Sequence, residues 1–282
     1  MTYYFNFFIE SVRHPSKIYK TIKNIFRSGR VQTYIVSYPK TGRTWLRVLL
    51  GKTLVLHTGN NEEQVLDTFM LSESTGIPPV LFSHGGLFGL VPSARFDALS
   101  FKTNRYKNRR VAFLIRDIRD TLVSSYFEDS KRRKVFSGSI SDFVRDPQFG
   151  IRKIICFYSL WFENQSVPDA FLLVRYEELK ARPHEITRDI LSFIGASAVT
   201  DDTIKQAVEY ASFDNMKKME SKGEFKDVML KPGADKRGES FKVRRGKIGG
   251  FVDYLSEEDI QYIDEQVKKL GNTNCDWYYG TK

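Results

Sequence analysis

The residues best equipped for chemistry lie in one run, Tyr38-Pro39-Lys40-Thr41-Gly42-Arg43-Thr44-Trp45, between an apolar stretch and a helical pattern. A strand, a tight turn through Gly42 and a helix start offer several backbone N–H groups to one anion. Lys40 adds an ammonium, and Thr41 and Thr44 add hydroxyl donors. An ordinary strand-to-helix turn that carries a lysine would read the same way. The nucleoside-triphosphate loop G-x-x-x-x-G-K-[ST] sets its lysine after the second of two glycines. Here Lys40 precedes the only glycine, so a different anion is expected.

Two other sets of residues have similar potential. Arg116 stands at the carboxyl end of a buried apolar run, with Ser124 eight residues on. Arg-Asp pairs at such ends also serve as structural ion pairs. The run "KVRRGKIGG", residues 242–250, flanks its arginines with glycines that permit close backbone approach; a solvated basic loop is the competing reading. Of the four histidines, His14, His57, His84 and His184, only His84 directly follows a strand-like run, "VLFS". That places it at the ligand edge of the sheet, where an imidazole neutral at neutral pH could act on a ligand; a strand-end histidine tied to a carbonyl is the alternative.

The elements that must position these groups follow from apolar patterning. Strands are expected at 33–38, 79–85, 109–117 and 169–179, and helices at 44–57, 118–130, 183–195 and 201–211. A last helix is capped by Ser256, with acids in its first turn and lysines in its last. Alternating strands and helices imply an α/β fold, a single domain with a central, mainly parallel sheet whose ligands bind beyond the strands' carboxyl ends. Residues 221–250 form a long Gly- and Lys/Arg-rich stretch of the kind used as a mobile lid or binding loop. The expected division is a basic amphipathic segment over 1–30 and one catalytic domain over 31–282.

The 282-residue chain carries a net charge of +10, which favours an anionic partner. Cys156 and Cys275 are far apart and make no metal-ligand pattern, which suits a reducing compartment. No apolar run reaches the ~18 residues a bilayer span needs, and the N-terminus lacks the basic region of a signal peptide. A cytoplasmic location is expected. The mixed aromatic and basic segment 1–30 could touch a membrane surface or simply pack on the domain.

Taken in order, these motifs resemble the cytosolic-type sulfotransferases, which use 3′-phosphoadenosine-5′-phosphosulfate (PAPS). That family's loop reads Y-P-K-[ST]-G-x-T-W, as residues 38–45 do. Its second motif sets an Arg eight residues before a Ser, like Arg116 and Ser124. Its third, R-[KR]-G-x-x-G, is matched by Arg244, Arg245, Gly246 and Gly249. "RYEEL" and "SFDNM" resemble two adenine-contacting segments and bring in Tyr176, Phe213 and Met216. The resemblance implies a P-loop nucleotide-hydrolase-like fold. It also implies that residues 40–45 wrap the phosphosulfate, while Arg116, Ser124 and Arg244, helped by Arg245 and Gly246, bind the 3′-phosphate. Trp45 and Phe213 would then sandwich the adenine. Lys40 would stabilise the departing phosphate and His84 would be the base. The acceptor would be a hydroxyl-bearing small molecule, lipid or glycan, with no metal and no nucleic acid involved, and the product nucleotide adenosine 3′,5′-bisphosphate.

This chain departs from the family in places. Phe82 stands where the family's K-x-H segment has a lysine, and Gly250-Phe251-Val252 where D-W-K is usual. The dimerisation segment of vertebrate members is not recognisable in 252–262, and Arg43 replaces a residue often Thr. A P-loop nucleotide kinase and a non-catalytic polyanion-binding protein are the competing functional readings.

Overall fold

The computed structural model describes residues 27, 29–85, 105–223, 245–271 and 277–280. Most of the segment 1–30, residues 224–244 of the basic stretch, Arg244, His14 and Cys275 lie outside them.

Four strands, β1 (Thr33–Ser37), β2 (Val80–Ser83), β3 (Arg110–Ile115) and β4 (Ala170–Arg175), form one parallel sheet in the order β2-β1-β3-β4. Tyr34 pairs with Leu81 on one side and Val111 on the other. Strand residues alternate between faces, and here both faces are buried. Ile35, Ala112, Leu114 and Val174 enter one core, and Tyr34, Val36, Val111, Phe113 and Ile115 enter the other. That double burial is why β1 and β3 are apolar along almost their whole length.

Among the described residues ten α-helices cover the sheet: α1 (Arg43–Thr58), α2 (Thr68–Ser74), α3 (Ile118–Phe127), α4 (Ile140–Arg145), α5 (Ile151–Glu163), α6 (Tyr176–Ala181), α7 (Pro183–Phe193), α8 (Asp201–Tyr210), α9 (Phe213–Lys222) and α10 (Glu257–Leu270). The first core takes side chains from α1, α7, α8 and α9, and the second from α3, α4, α5 and α10. Phe113 is the hub of the second core, with Phe157, Trp161 and Trp277 within 5.9 Å centroid to centroid. No helix among the described residues is long and apolar enough to cross a membrane.

Two elements differ from expectation. The strand expected through residue 179 stops at Arg175, and Tyr176 opens α6. The apolar run ends at Val174, and the Glu-Glu-Leu-Lys-Ala that follows Tyr176 is made of strong helix formers. The helix expected over 118–130 stays α-helical only to Phe127, then widens into a π turn over Glu128–Arg132 closed by Arg133 N–H donating to the Glu128 carbonyl at 2.8 Å. The last helix is as expected. Ser256 and Asp259 form a reciprocal cap, and Lys268 and Lys269 close its final turn. Asp259 also accepts from Ser141 of α4 at 2.7 Å and pairs with Arg145, pinning α10 to α4.

Candidate active site

The strand order sets four connections side by side along one sheet edge. His84 follows β2, residues 38–42 follow β1, Arg116 follows β3 and Tyr176 follows β4. They border a cavity of about 620 Å³, a size typical of small-ligand sites. Of the residues expected at the site, Lys40, Gly42, Arg43, Thr44, Trp45, His84, Arg116, Ser124, Tyr176, Phe213, Met216, Arg245 and Gly246 all line it.

The loop after β1 turns through positive φ at both Lys40 (71°) and Gly42 (93°), the kind of backbone reversal that gathers successive N–H groups around an anion. Gly42 caps α1 with no side-chain hydrogen bond, and the first turn of α1 holds no acidic residue. The positive end of the helix dipole therefore faces the cavity uncompensated. Glycine is required at 42: a Cβ there would lie 2.4 Å from Tyr176 Cδ2. Thr41 differs from expectation. Its hydroxyl is buried and donates to the Tyr38 carbonyl at 2.9 Å, so it braces the turn and is not aimed at the cavity.

Arg43, the first residue of α1, has no hydrogen bond or ion pair among the described residues. Burial, with Arg47 beside it, pushes its guanidinium down to about 9. It is a charged group at neutral pH, poorly solvated and with no counter-ion among the described residues. Lys40 Nζ donates to Glu128 at 2.8 Å, with both side chains mostly buried.

Arg116 donates to the carbonyls of Lys40 (3.4 Å) and Lys247 (3.1 Å), lies 3.4 Å from Asp120, and stacks 4.6 Å above the Tyr176 ring. The structural ion pairing weighed for this segment exists twice: Arg116 pairs with Asp120, and Arg119 with Asp117 at 2.6 Å. Asp120 accepts from the backbone N–H groups of Gly249 (2.9 Å) and Phe251 (3.0 Å), which clamps the glycine-rich stretch onto α3. Burial raises its pKa, against the pull of Arg116. Arg245 pairs with Asp253 at 2.8 Å. Gly246, at φ 58°, packs so tightly on Phe213 that a Cβ would come within 2.6 Å of that ring. Trp45 is fixed by its Nε1–H donating to the Ala211 carbonyl at 2.7 Å, and its ring meets Tyr176 edge-on at 5.7 Å.

His84 Nδ1 lies 3.0 Å from the Ser37 carbonyl. A carbonyl only accepts, so Nδ1 carries the proton and Nε2 is the basic nitrogen. The strand-end carbonyl tie and the base reading are thus compatible, because the first sets the tautomer that the second needs.

Among the cavity residues that escape motif reading are Asp120, Glu128 and Lys180. A signal was present. Arg116, Asp120, Ser124 and Glu128 recur every fourth residue, one face of a helix. Lys180, which donates to the Gly246 carbonyl, lies one turn after Tyr176 on α6.

The model of the sulfotransferase domain family matches residues 94–274. Cytosolic sulfotransferase 17 of Arabidopsis thaliana is 23% identical over 287 residues, covering 91% of this chain and 77% of that protein. Flavonol 3-sulfotransferase of Flaveria bidentis is 22% identical over 275 residues, covering 88% and 84% respectively. Among solved structures, a mouse sulfotransferase complexed with PAP superposes with a TM-score of 0.59 at 18% identity, covering 88% of this chain and 86% of that one. Retinol dehydratase, in complex with androsterone and PAP, superposes with a TM-score of 0.57 at 17% identity, covering 84% and 79%. At these identities the structural likeness speaks for the fold.

Proposed function

The chain belongs to the sulfotransferase domain family, and from that premise we propose that it moves a sulfuryl group from PAPS to an acceptor hydroxyl. The observation that carries the reading is the turn at the start of α1. A helix N-terminus with no side-chain cap and no acid in its first turn opens into the same cavity as Arg116, Ser124 and His84. A phosphosulfate fits such a turn, and a phosphate fits the Arg116 fork. The neighbouring structures were solved with PAP.

When bound, PAPS supplies an activated sulfuryl group to be taken in line by the acceptor hydroxyl. His84 takes the hydroxyl proton at Nε2, held to that tautomer by Ser37. Lys40 leaves Glu128 and neutralises negative charge building on the departing phosphate. Thr44 and the α1 N–H groups hold the phosphosulfate, with Arg43 supplying a second cation. Trp45, Tyr176, Phe213 and Met216 enclose the base, and Arg116, Ser124, Arg245 and the Gly246 backbone, together with Arg244, hold the 3′-phosphate. Relatives named cytosolic support a cytoplasmic enzyme.

The test is transfer of labelled sulfate from PAPS to hydroxyl compounds in the presence of a chelator, with ATP as control donor. Saturable binding of adenosine 3′,5′-bisphosphate must accompany it. Phosphoryl transfer from ATP, or binding of heparin-like chains with no nucleotide affinity, would overturn the proposal.

A further inference from the structure

The donor groups account for one end of the cavity; the wall on the His84 side is lined by Glu128 and Asp129 of the π turn, Arg133, and Gln148, Phe149 and Lys153 around the start of α5. Its position is set by α5. Lys153 lies one turn before Phe157, whose ring meets Tyr38 at 5.5 Å and would lie 3.2 Å from a Cβ at Gly85, the residue after His84. This wall is strongly polar. Lys153 is only 3% exposed and donates to the Gln148 carbonyl at 3.1 Å. Asp129 accepts from Arg133 at 2.8 Å, and burial raises its pKa. The Gln148 side-chain amide has no hydrogen-bond partner among the described residues. An apolar acceptor body would strip water from these groups and return no hydrogen bonds. A body rich in hydroxyls would replace that water atom for atom.

Glu128 sharpens the point. Its carboxylate is held by Lys40, the cation that the proposed transfer requires elsewhere. Once Lys40 turns to the phosphosulfate, the Glu128 oxygen it held can accept from an acceptor hydroxyl, while Arg132 stays 4.0 Å from the other oxygen.

We propose, building on the sulfotransferase reading, that this wall is an acceptor subsite for polyhydroxylated, saccharide-like molecules. Glu128 and Asp129 accept from acceptor hydroxyls, Lys153 and Gln148 donate to them, and Phe149 packs on a C–H face of the ring.

The experiment presents the full-length enzyme and labelled PAPS with methyl glycosides of glucose, galactose and N-acetylglucosamine, and in parallel with 4-nitrophenol, a flavonol and a steroid alcohol. Saccharides should be labelled with kcat/KM at least ~10-fold above the best apolar acceptor. Gln148→Leu and Lys153→Met should each raise saccharide KM by about 10-fold and shift the acceptor ratio toward phenols, with adenosine 3′,5′-bisphosphate affinity held in calorimetry. No labelled saccharide, an apolar acceptor used as well or better, or variants that depress both acceptor classes equally would overturn the proposal. Absence of any affinity for adenosine 3′,5′-bisphosphate would fell the sulfotransferase reading first, and this inference with it.

Discussion

Replacing Gly42 by alanine should damage the protein through two separable effects. The first is conformational: φ at 42 is +93°, and a Cβ in left-handed backbone costs about 1–2 kcal/mol. The second is steric. The new methyl would lie 2.4 Å from Tyr176 Cδ2 and 2.7 Å from Cε2, where carbon atoms rest at about 3.5 Å. The ring must retreat by roughly 1 Å, and such overpacking costs about 1–3 kcal/mol. Together Gly42→Ala should lose about 2–5 kcal/mol in urea melts. It should also lose about tenfold in affinity for adenosine 3′,5′-bisphosphate by calorimetry, because the displaced ring carries Arg116 at 4.6 Å and touches Trp45. The decisive arm is the double variant with Tyr176→Ala. With no ring to strike, the steric part vanishes while the backbone part remains, so the two substitutions should fall short of additivity by about 1–3 kcal/mol. Additivity within about 0.5 kcal/mol would refute the claim that the loop and the ring are fitted to each other.

Four further outcomes are expected. His84→Ala and Lys40→Ala should each abolish transfer by at least about 100-fold in kcat, while His84→Ala still binds the product nucleotide in calorimetry. Near-normal turnover by His84→Ala would remove it as the base. Asp120→Ala should cost about 3 kcal/mol in chemical denaturation, because two N–H groups and Arg116 lose their acceptor, and should weaken nucleotide binding by freeing the Gly246–Gly249 stretch. Arg43→Met should leave the unliganded protein as stable as before or up to about 1 kcal/mol more stable, yet bind nucleotide less tightly; in the wild type that contribution should fade as pH rises through about 9. Asp259→Ala should cost about 3 kcal/mol at neutral pH. Burial alone would raise the Asp259 pKa, but Arg145, Ser141 and Ser256 together hold it below the usual carboxylate value. Its stabilisation is therefore complete above the unfolded-state pKa and lost as pH falls through the lower folded one, so acid melts of wild type and variant should converge.

Local pattern carried much of this molecule. The buried strands were readable because β1 and β3 are apolar on both faces, and the loop after β1 because Pro39, Lys40 and Gly42 have few other uses together. Tyr176 lines the cavity as expected but opens a helix instead of continuing a strand, since a single residue separates the apolar run from a helix-forming one. The direction of the Thr41 hydroxyl was not legible, because a hydroxyl at a turn can face either way and only the Tyr38 carbonyl decides it. Glu128 and Asp120 were missed as site residues for a different reason. Their partners Lys40 and Gly249 are 88 and 129 residues away, and sequence spacing carries no information about contacts made by folding. The π turn was hidden for the same reason: Glu128–Arg132 is locally good helix, and nothing in its pattern announces one wider turn.

The placement of the three tryptophans turns the chain into its own optical instrument. Trp45 is only partly buried and borders the cavity, at the end proposed to take the nucleotide. Trp161 and Trp277 are 1% and 6% exposed, sealed around Phe113 in the other core. An adenine laid against Trp45 would quench one emitter and leave two dark to the event. Unfolding would redden all three. A titration and a melt recorded in the same cuvette would thus separate binding, seen by Trp45 alone, from unfolding, seen by all three, without a label and without an acceptor in hand.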